Sequence, residues 1–525
     1  MPRFHFQLVA LVLLIPSGVS GQQDPARTGS RTLPTDSWTY EAISRLRSRG
    51  FLPRINPTVQ PYRRIDVASD LMGLDPVEHD EPVAGWIDLL RKELASELAV
   101  LEGDDDATTR VGAQIRLGGT MADSRRRDPL VPFRTENEET ANDRAWPLNV
   151  ESAWMETHGA AIVVDLYGDH WYYSDHGDPD GISPKGFLAL LRRSDNSYVT
   201  AAFPWGDVWL GRMRRNWGPI GQKGLMVSDN PVAYPQFGLD VGRGRVRVHF
   251  FSGELDAIEG RTRYVMANRV DYGTPNFWIS LGEAKVFSTN RNSALRFLNP
   301  AELLIFDHDS EPTDVEGNLM FNGTLWARRG ETTAYGELVV DDFDIVSFRQ
   351  GEASEGEPLN YQIAMGVRYH GVSPKVELGF DYRRVSAWSY RSSVTDRWTY
   401  LDRSLADPWA DFDRLELRAD LFPQVRGLRL SPVVQLQRMG EGDYRDPLYP
   451  NPNDKGLPGT FLGVMETTRR VALQGRYQPQ RLFFVEWDVG RSFVSNAGNV
   501  EGTSENRLSY LVRLGITLGA QGRLR

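Results

Sequence analysis

The chain has 525 residues, a formal net charge of -10 and no cysteine. The absence of cysteine excludes a disulfide framework and any cysteine-based nucleophile or metal site. The negative charge argues against a nucleic-acid partner, which would favour a basic face. Neither the composition nor any motif predicts a cofactor.

The first residues have the pattern of a secretory signal peptide. Arg3 precedes an unbroken apolar run from Leu8 to Ile15, and small residues follow up to Gly21. Eight apolar residues are far fewer than the roughly 20 that a membrane-spanning helix needs. We therefore predict a cleaved signal peptide over residues 1–21, and a mature protein that is periplasmic, secreted or a β-barrel of the outer membrane.

Residues 22–105 have the periodicity of α-helices. Ser, Thr and Asp residues around Asp36 can cap a first helix over about 36–49, and Gly50 can end it. A short helical segment is expected over 65–71. A third apolar stripe, at Ile87, Leu90, Leu94, Leu98 and Leu101, is amphipathic and requires a packing partner.

From residue 106 to 525 the apolar period changes from 3.6 to 2, as in β-strands. The last segment shows it most clearly, with apolar residues at every second position from Leu508 to Leu518, where the strand is predicted to end. The better segments reach nine to eleven residues, longer than typical strands of soluble sandwiches and long enough to cross a membrane. We predict an all-β transmembrane barrel of about 16–18 antiparallel strands, with 18 preferred, and a small N-terminal α-helical bundle.

Aromatic residues are concentrated near residues 388–409 and are interpreted as part of an aromatic girdle at the membrane interface. They are Trp388, Tyr390, Trp398, Tyr400 and Trp409.

Several blocks of the sequence resemble the Wzi family of capsule-assembly proteins. They occur in family order: 33–36, 61–64, 208–212, 216–219, 225–231 and 336–343. The resemblance implies an outer-membrane barrel of about eighteen strands with its helical region in the periplasm. It also implies a monomer, surrounded by outer-membrane lipid, that binds capsular or other surface polysaccharide and assists capsule assembly or attachment without catalysing a reaction.

Candidate polysaccharide contacts combine a flat aromatic face with planar polar groups. The block 214–230 supplies Arg214, Arg215, Asn216, Trp217, Asp229 and Asn230, and Asp341 and Asp342 complete the candidate set. The alternative interpretation is structural: residues 217–219 form a turn, and Asp229 and Asn230 cap a strand. Neighbouring strand residues point to opposite faces, so Asp341 and Asp342 do not predict a glycosidase pair.

Two other functions are compatible with the same strand pattern. A general or substrate-selective porin would differ by having an open lumen, and an outer-membrane hydrolase would need a nucleophile or a carboxylate pair in one cavity. The sequence has no Gly-x-Ser-x-Gly elbow, so no enzyme is predicted. Acidic residues and histidines over 165–178 match no metal-site signature, and no metal is expected.

Overall fold

The fold is derived from a computed structural model. It describes residues 29–103, 109–123, 130, 145–157, 159–169, 191–289, 304, 316–341, 360–445 and 461–523. The predicted signal peptide lies outside these residues.

Four helices form the N-terminal region: α1 (Thr39–Ser48), α2 (Arg64–Leu71), α3 (Val83–Glu93) and α4 (Ala95–Leu101). The predicted apolar stripes meet in one core, in which Ile43, Leu46, Ile87, Leu90 and Leu98 are buried. The third stripe is split into α3 and α4 because the backbone of Leu94 leaves helical geometry. None of the helices in the described ranges is long and apolar enough to cross a membrane.

The remaining chain forms a closed antiparallel barrel of 18 strands, which confirms the predicted fold class. Each barrel strand pairs with the next one in the chain, and β20 pairs with β1 to close the cylinder. A two-stranded ribbon, β14 with β15, lies apart from the barrel sheet. The strands are β1 (Arg110–Ala122), β2 (Ala145–Glu156), β3 (Ala160–Asp169), β4 (Leu191–Phe203), β5 (Gly206–Met213), β6 (Tyr234–Val241), β7 (Val246–Ile258), β8 (Arg261–Thr274), β9 (Phe277–Thr289), β10 (Glu316–Arg329), β11 (Thr332–Asp341), β12 (Asn360–Ser373), β13 (Val376–Val385), β14 (Thr399–Tyr400), β15 (Arg403–Ser404), β16 (Phe412–Leu421), β17 (Leu428–Met439), β18 (Glu466–Gln480), β19 (Phe483–Ser495) and β20 (Ser504–Arg523).

Side chains alternate between an apolar outer face and a largely polar interior. On β17, Val434 and Leu436 are exposed, whereas Gln435 and Gln437 are buried. The same alternation places Leu508, Tyr510, Leu514, Ile516 and Leu518 of β20 on the outside. An outward apolar band around a polar interior is the arrangement that a lipid bilayer requires of a barrel.

The end of the last strand differs from the prediction. β20 does not stop at Leu518 but continues to Arg523, because Gly519 to Arg523 pair with Gln114 to Arg110 of β1. Pairing with β1 satisfies the backbone N–H and C=O groups of these residues. The apolar pattern of β20 alone does not indicate that pairing.

The two ends of the barrel differ in the length of their connections. At one end every connection between barrel strands is short, as in the hairpins between β4 and β5, β8 and β9, and β10 and β11. At the other end most connections are longer, and two long ones are described over their whole length, 214–233 and 386–411. The helical region lies at the short-turn end, where α1 and α3 contact the ends of several strands.

Candidate functional site

Two long connections of the described chain fold into the lumen. The first insert, residues 214–233, leaves the wall between Met213 and Tyr234, which face each other in the register of β5 and β6. The second insert, residues 386–411, leaves between Val385 and Phe412, which face each other in the register of β13 and β16. Each insert is therefore an addition to a hairpin, and the barrel could close without either of them.

The two inserts are joined by hydrogen bonds between indole, phenol and backbone groups. Trp398 Nε1 donates to the Met226 carbonyl at 2.9 Å, and Tyr390 Oη donates to the Leu225 carbonyl at 2.8 Å. The backbone N–H of Ser228 donates to the Leu405 carbonyl at 2.8 Å. Buried bonds of this kind fix the two inserts against each other.

An apolar core forms where the inserts meet the inner wall. It combines insert residues with wall residues from several strands, and its larger members are Trp217, Met226, Tyr234, Phe251, Met320, Tyr390, Trp398, Tyr400, Phe412, Met439 and Tyr444. The prediction that the aromatic residues near 388–409 form an interfacial girdle is therefore wrong. Trp388, Tyr390, Trp398 and Tyr400 are buried inside the barrel, because the second insert needs an apolar core of its own.

The candidate residues at the start of the first insert are engaged in internal contacts. Arg214 forms an ion pair with Asp195 at 2.6 Å, and the Arg215 guanidinium lies 4.3 Å from the ring centroid of Trp209. Asn216 and Gln60 of the helical region exchange backbone hydrogen bonds of 2.8 and 3.0 Å.

Trp217 is only 1% exposed, and its ring meets Phe251 edge-on at 5.2 Å. Its indole face is consequently covered by protein in this conformation, so a sugar cannot stack on it. The contacts of Trp217 fit the structural alternative, in which residues 217–219 form a turn, and not a sugar-binding role for its ring.

The remaining candidates also hold the inserts in place. Asp229 accepts a hydrogen bond from Lys223 at 3.1 Å, and Asn230 donates to the Ser404 carbonyl of the second insert at 2.9 Å. Asp341 is buried and accepts from the backbone N–H of Tyr390 at 2.9 Å. Asp342 lies outside the described residues.

The helical region is attached to the wall by buried ion pairs. Arg45 of α1 contacts Glu377 and Asp420, each at 3.0 Å. All three side chains are almost completely buried, and such a group is costly to disrupt because removal of one member leaves an uncompensated charge.

Arg269 of β8 connects all three parts of the molecule. Its guanidinium donates to Thr58 of the helical region at 2.5 Å and to the Trp217 carbonyl of the first insert at 3.0 Å. It also donates to Asp271 and Ser280 of the wall, each at 2.7 Å.

Two carboxylates of the helical region have strongly lowered pKa values. Burial alone would raise the pKa of Glu97, but attraction to Arg64 and Arg31 and the hydrogen bonds from Arg64 lower it to about 2. Burial opposes ionisation of Glu41 in the same way, and Arg429, Arg45 and Arg476 lower its pKa to about 2. Both groups are charged at neutral pH and contribute to internal ion pairs.

A cavity of about 600 Å³ separates the helical region from one side of the barrel wall. Its wall comes from β1 to β4 and β18 to β20, and it reaches the short-turn end, where residues of the β18–β19 hairpin line it. Eight basic and five acidic side chains line it, together with Trp38, Trp154, Tyr198 and Phe484. Aromatic, guanidinium and carboxylate groups in one cavity are the chemistry that saccharide recognition requires.

Of the sequence candidates that the structure describes, Arg214 alone lines this cavity. The other lining groups come from strands and helices that are far apart in the chain, so no local motif marks them. No group of three or more His, Asp or Glu side chains that could hold a metal ion occurs among the residues that the structure describes.

The fold and the occupied lumen define a class: an 18-stranded transmembrane barrel that carries a helical region at one end and two packed inserts inside. No protein-family model matches the sequence, and no curated protein matches it. Among solved structures, Wzi of Escherichia coli aligns with a TM-score of 0.57 and 12% identity, over 92% of this chain and 99% of that chain. That protein is described as a carbohydrate-binding β-barrel involved in group 1 capsule assembly.

The resemblance to the Wzi family is thus confirmed at the level of the fold. OccK1 (OpdK) of Pseudomonas aeruginosa aligns with a TM-score of 0.45 and 11% identity, over 78% of this chain and 99% of that chain. OccD3 (OpdP) of the same organism aligns with a TM-score of 0.43 and 11% identity, over 79% of this chain and 91% of that chain.

Proposed function

We propose that this protein is an outer-membrane barrel that binds surface polysaccharide and assists capsule assembly or attachment, without catalysing a reaction. The observation that carries the proposal is the occupied lumen. A porin needs a continuous aqueous path, whereas here two inserts share an apolar core inside the wall. The similarity of fold to a carbohydrate-binding barrel over nearly the whole chain supports the same function.

The proposed orientation places the helical region in the periplasm. Outer-membrane barrels have short turns on the periplasmic side and long loops outside the cell. The helical region lies at the short-turn end, so the longer connections between strands would face the exterior.

Of the predicted contact residues, we retain Arg214 as a candidate ligand contact because its side chain lines the cavity. The other described candidates would act indirectly, since their polar groups hold the inserts against the wall. Asp341 accepts a hydrogen bond from the backbone N–H of Tyr390, which supports a structural role over an acid/base role.

The proposal is tested by two measurements on the purified full-length protein. Reconstitution into a planar bilayer should give no steady ion conductance, because the inserts fill the lumen. The same preparation, immobilised, should capture surface polysaccharide extracted from the bacterium that encodes the protein, whereas an empty matrix should not. Steady open conductance without capture would contradict the proposal and favour a porin.

A hydrolase is distinguished by the fate of the captured polysaccharide. We expect its chain length, measured by size-exclusion chromatography, to be unchanged after prolonged incubation with the protein. A progressive shortening that requires folded protein would contradict the non-enzymatic part of the proposal.

A further inference from the structure

The cavity beside the helical region has a charge opposite to that of the chain as a whole. Its eight basic and five acidic lining residues give a formal charge of +3, while the complete chain carries -10. The basic residues are Arg31, Arg64, Lys92, Arg116, Arg214, Arg476, Arg481 and Arg513. A cationic cavity in an acidic protein concentrates anions, since low-dielectric walls focus its field.

Several of these basic groups are already neutralised by internal partners. Arg116 pairs with Asp36 at 2.5 Å, and Arg64 pairs with Glu97 at 2.7 Å. Two others are less well neutralised. Arg513 is exposed to the cavity and has no ion-pair partner within the described ranges. Arg481 is 47% exposed, and its ion pair with Glu93 is long, at 3.9 Å, because Glu93 already pairs with Arg64 at 2.8 Å.

A third polar group of the cavity, Asn196, has one hydrogen-bond donor without an acceptor. Asn196 is 5% exposed, and its backbone lies in the left-handed region with φ of 46°. Its Oδ1 accepts from the Arg214 backbone N–H at 3.0 Å, but its Nδ2 has no acceptor among the residues that the structure describes. A buried amide donor without an acceptor costs free energy, which a bound ligand oxygen would recover.

Apolar surfaces accompany these donors. Trp38 and Phe484 line the cavity and are only partly buried, whereas the Trp154 ring is covered by the Arg31 guanidinium at 3.8 Å. The volume of about 600 Å³ falls within the range of about 300–1,000 Å³ typical of ligand pockets. Planar donors suit a carboxylate, and the aromatic groups suit the apolar faces of a sugar ring.

We propose that this cavity binds a carboxylated saccharide, a short segment containing uronic acid, with Arg481 and Arg513 as the carboxylate contacts and Asn196 as a hydrogen-bond donor. This inference rests on the proposed function and specifies the ligand as acidic. It also places the binding site at the short-turn end of the barrel.

The test compares an acidic trisaccharide with its uncharged form. Trigalacturonate and its methyl ester are titrated into the full-length protein in detergent, and binding is followed by calorimetry at low and high salt. We expect the ester to bind at least about tenfold more weakly, and the affinity of the acid to fall with salt. Equal affinities for acid and ester would overturn the inference.

A pair of double variants locates the site. Arg481→Gln with Arg513→Gln should weaken trigalacturonate binding at least about tenfold. Arg245→Gln with Arg329→Gln removes the same charge from exposed positions at the same end of the barrel, outside the cavity, and should leave binding unchanged. Equal losses in both double variants would overturn the inference, because they would indicate general electrostatic attraction. Unfolding temperatures like that of the original protein establish that both double variants fold.

Two further outcomes separate the possible failures. Inorganic phosphate that displaces trigalacturonate at equal concentration would overturn recognition of a saccharide and leave a general anion site. Undiminished capture of whole polysaccharide by the Arg481/Arg513 variant, together with no preference for the acid, would overturn this inference but leave the proposed function. If the original protein captures no polysaccharide, both this inference and the proposed function are contradicted.

Discussion

At the residue scale, Arg269 is the side chain whose loss should affect the largest part of the interior. Arg269→Met removes the bonds to Thr58 and to the Trp217 carbonyl and leaves Asp271 without its arginine partner. Loss of one member of a buried charged pair costs about 3–5 kcal/mol. We expect a lower unfolding temperature and brief conductance events in a planar bilayer.

Arg329→Met is the matched control, since that arginine is exposed on the β10–β11 hairpin and should be close to neutral. An Arg269→Met protein with the original unfolding temperature and no conductance events would show that the inserts do not depend on this arginine.

Glu97 makes the packing of α4 on α2 within the helical region sensitive to acid. Its pKa of about 2 lies below its ordinary value of 4.5, so it stabilises the folded protein above pH 4.5. That stabilisation is lost as the pH falls from 4.5 towards 2. We expect pepsin to cleave the helical region increasingly over this interval, while the barrel strands remain protected.

Glu97→Gln is the control for this pH dependence. The glutamine cannot ionise, so the variant should be less stable at neutral pH and should lose less stability on acidification. An identical acid profile in both proteins would assign the effect to other carboxylates, such as Glu41.

The residues of the first insert show the limit of prediction from sequence. The block 214–230 is correctly recognised as a polar and aromatic loop, but its partners are distant: Asn216 bonds to Gln60, 156 residues away. Whether Trp217 offers its face to a ligand depends on Phe251 and on the second insert, and no local pattern contains that information.

At the element scale, the inserts can be removed without a change in strand register. Residues 386–411 can be replaced by a short turn, because Val385 and Phe412 are already paired. Residues 214–233 can be replaced in the same way between Met213 and Tyr234. We predict that the double deletion folds as a barrel and shows steady conductance, measured in planar bilayers.

Shortening the β19–β20 connection, residues 496–503, is the matched control. It lies at the same end of the barrel, joins the paired residues Ser495 and Ser504, and is largely exposed. This variant should remain closed. A closed double deletion would indicate that the helical region alone blocks the lumen.

Elements were predictable where the pattern is local. The helices followed from apolar stripes, and strands such as β17 and β20 followed from alternation. The second insert was misread because aromatic residues are expected both at membrane interfaces and in apolar cores. Composition cannot distinguish the two environments, whereas burial does.

At the scale of the whole molecule, barrel closure was predictable from the number and length of the strands. The contents of the lumen were not, because they depend on ion pairs between distant parts of the chain. Arg45 and Asp420, for example, are 375 residues apart. The cavity is likewise assembled from seven barrel strands and the helical region, and exists only once the barrel has formed.

The pairing of β20 with β1 imposes an order on assembly. Thr58 and the two inserts lie inside a wall that is closed only when β20 pairs with β1. These segments must therefore pack inside while the sheet is still open, or enter through one end of the barrel after it has closed. Formation of the β1–β20 seam is therefore the step of folding after which the packing of the interior can no longer be rearranged without reopening the wall.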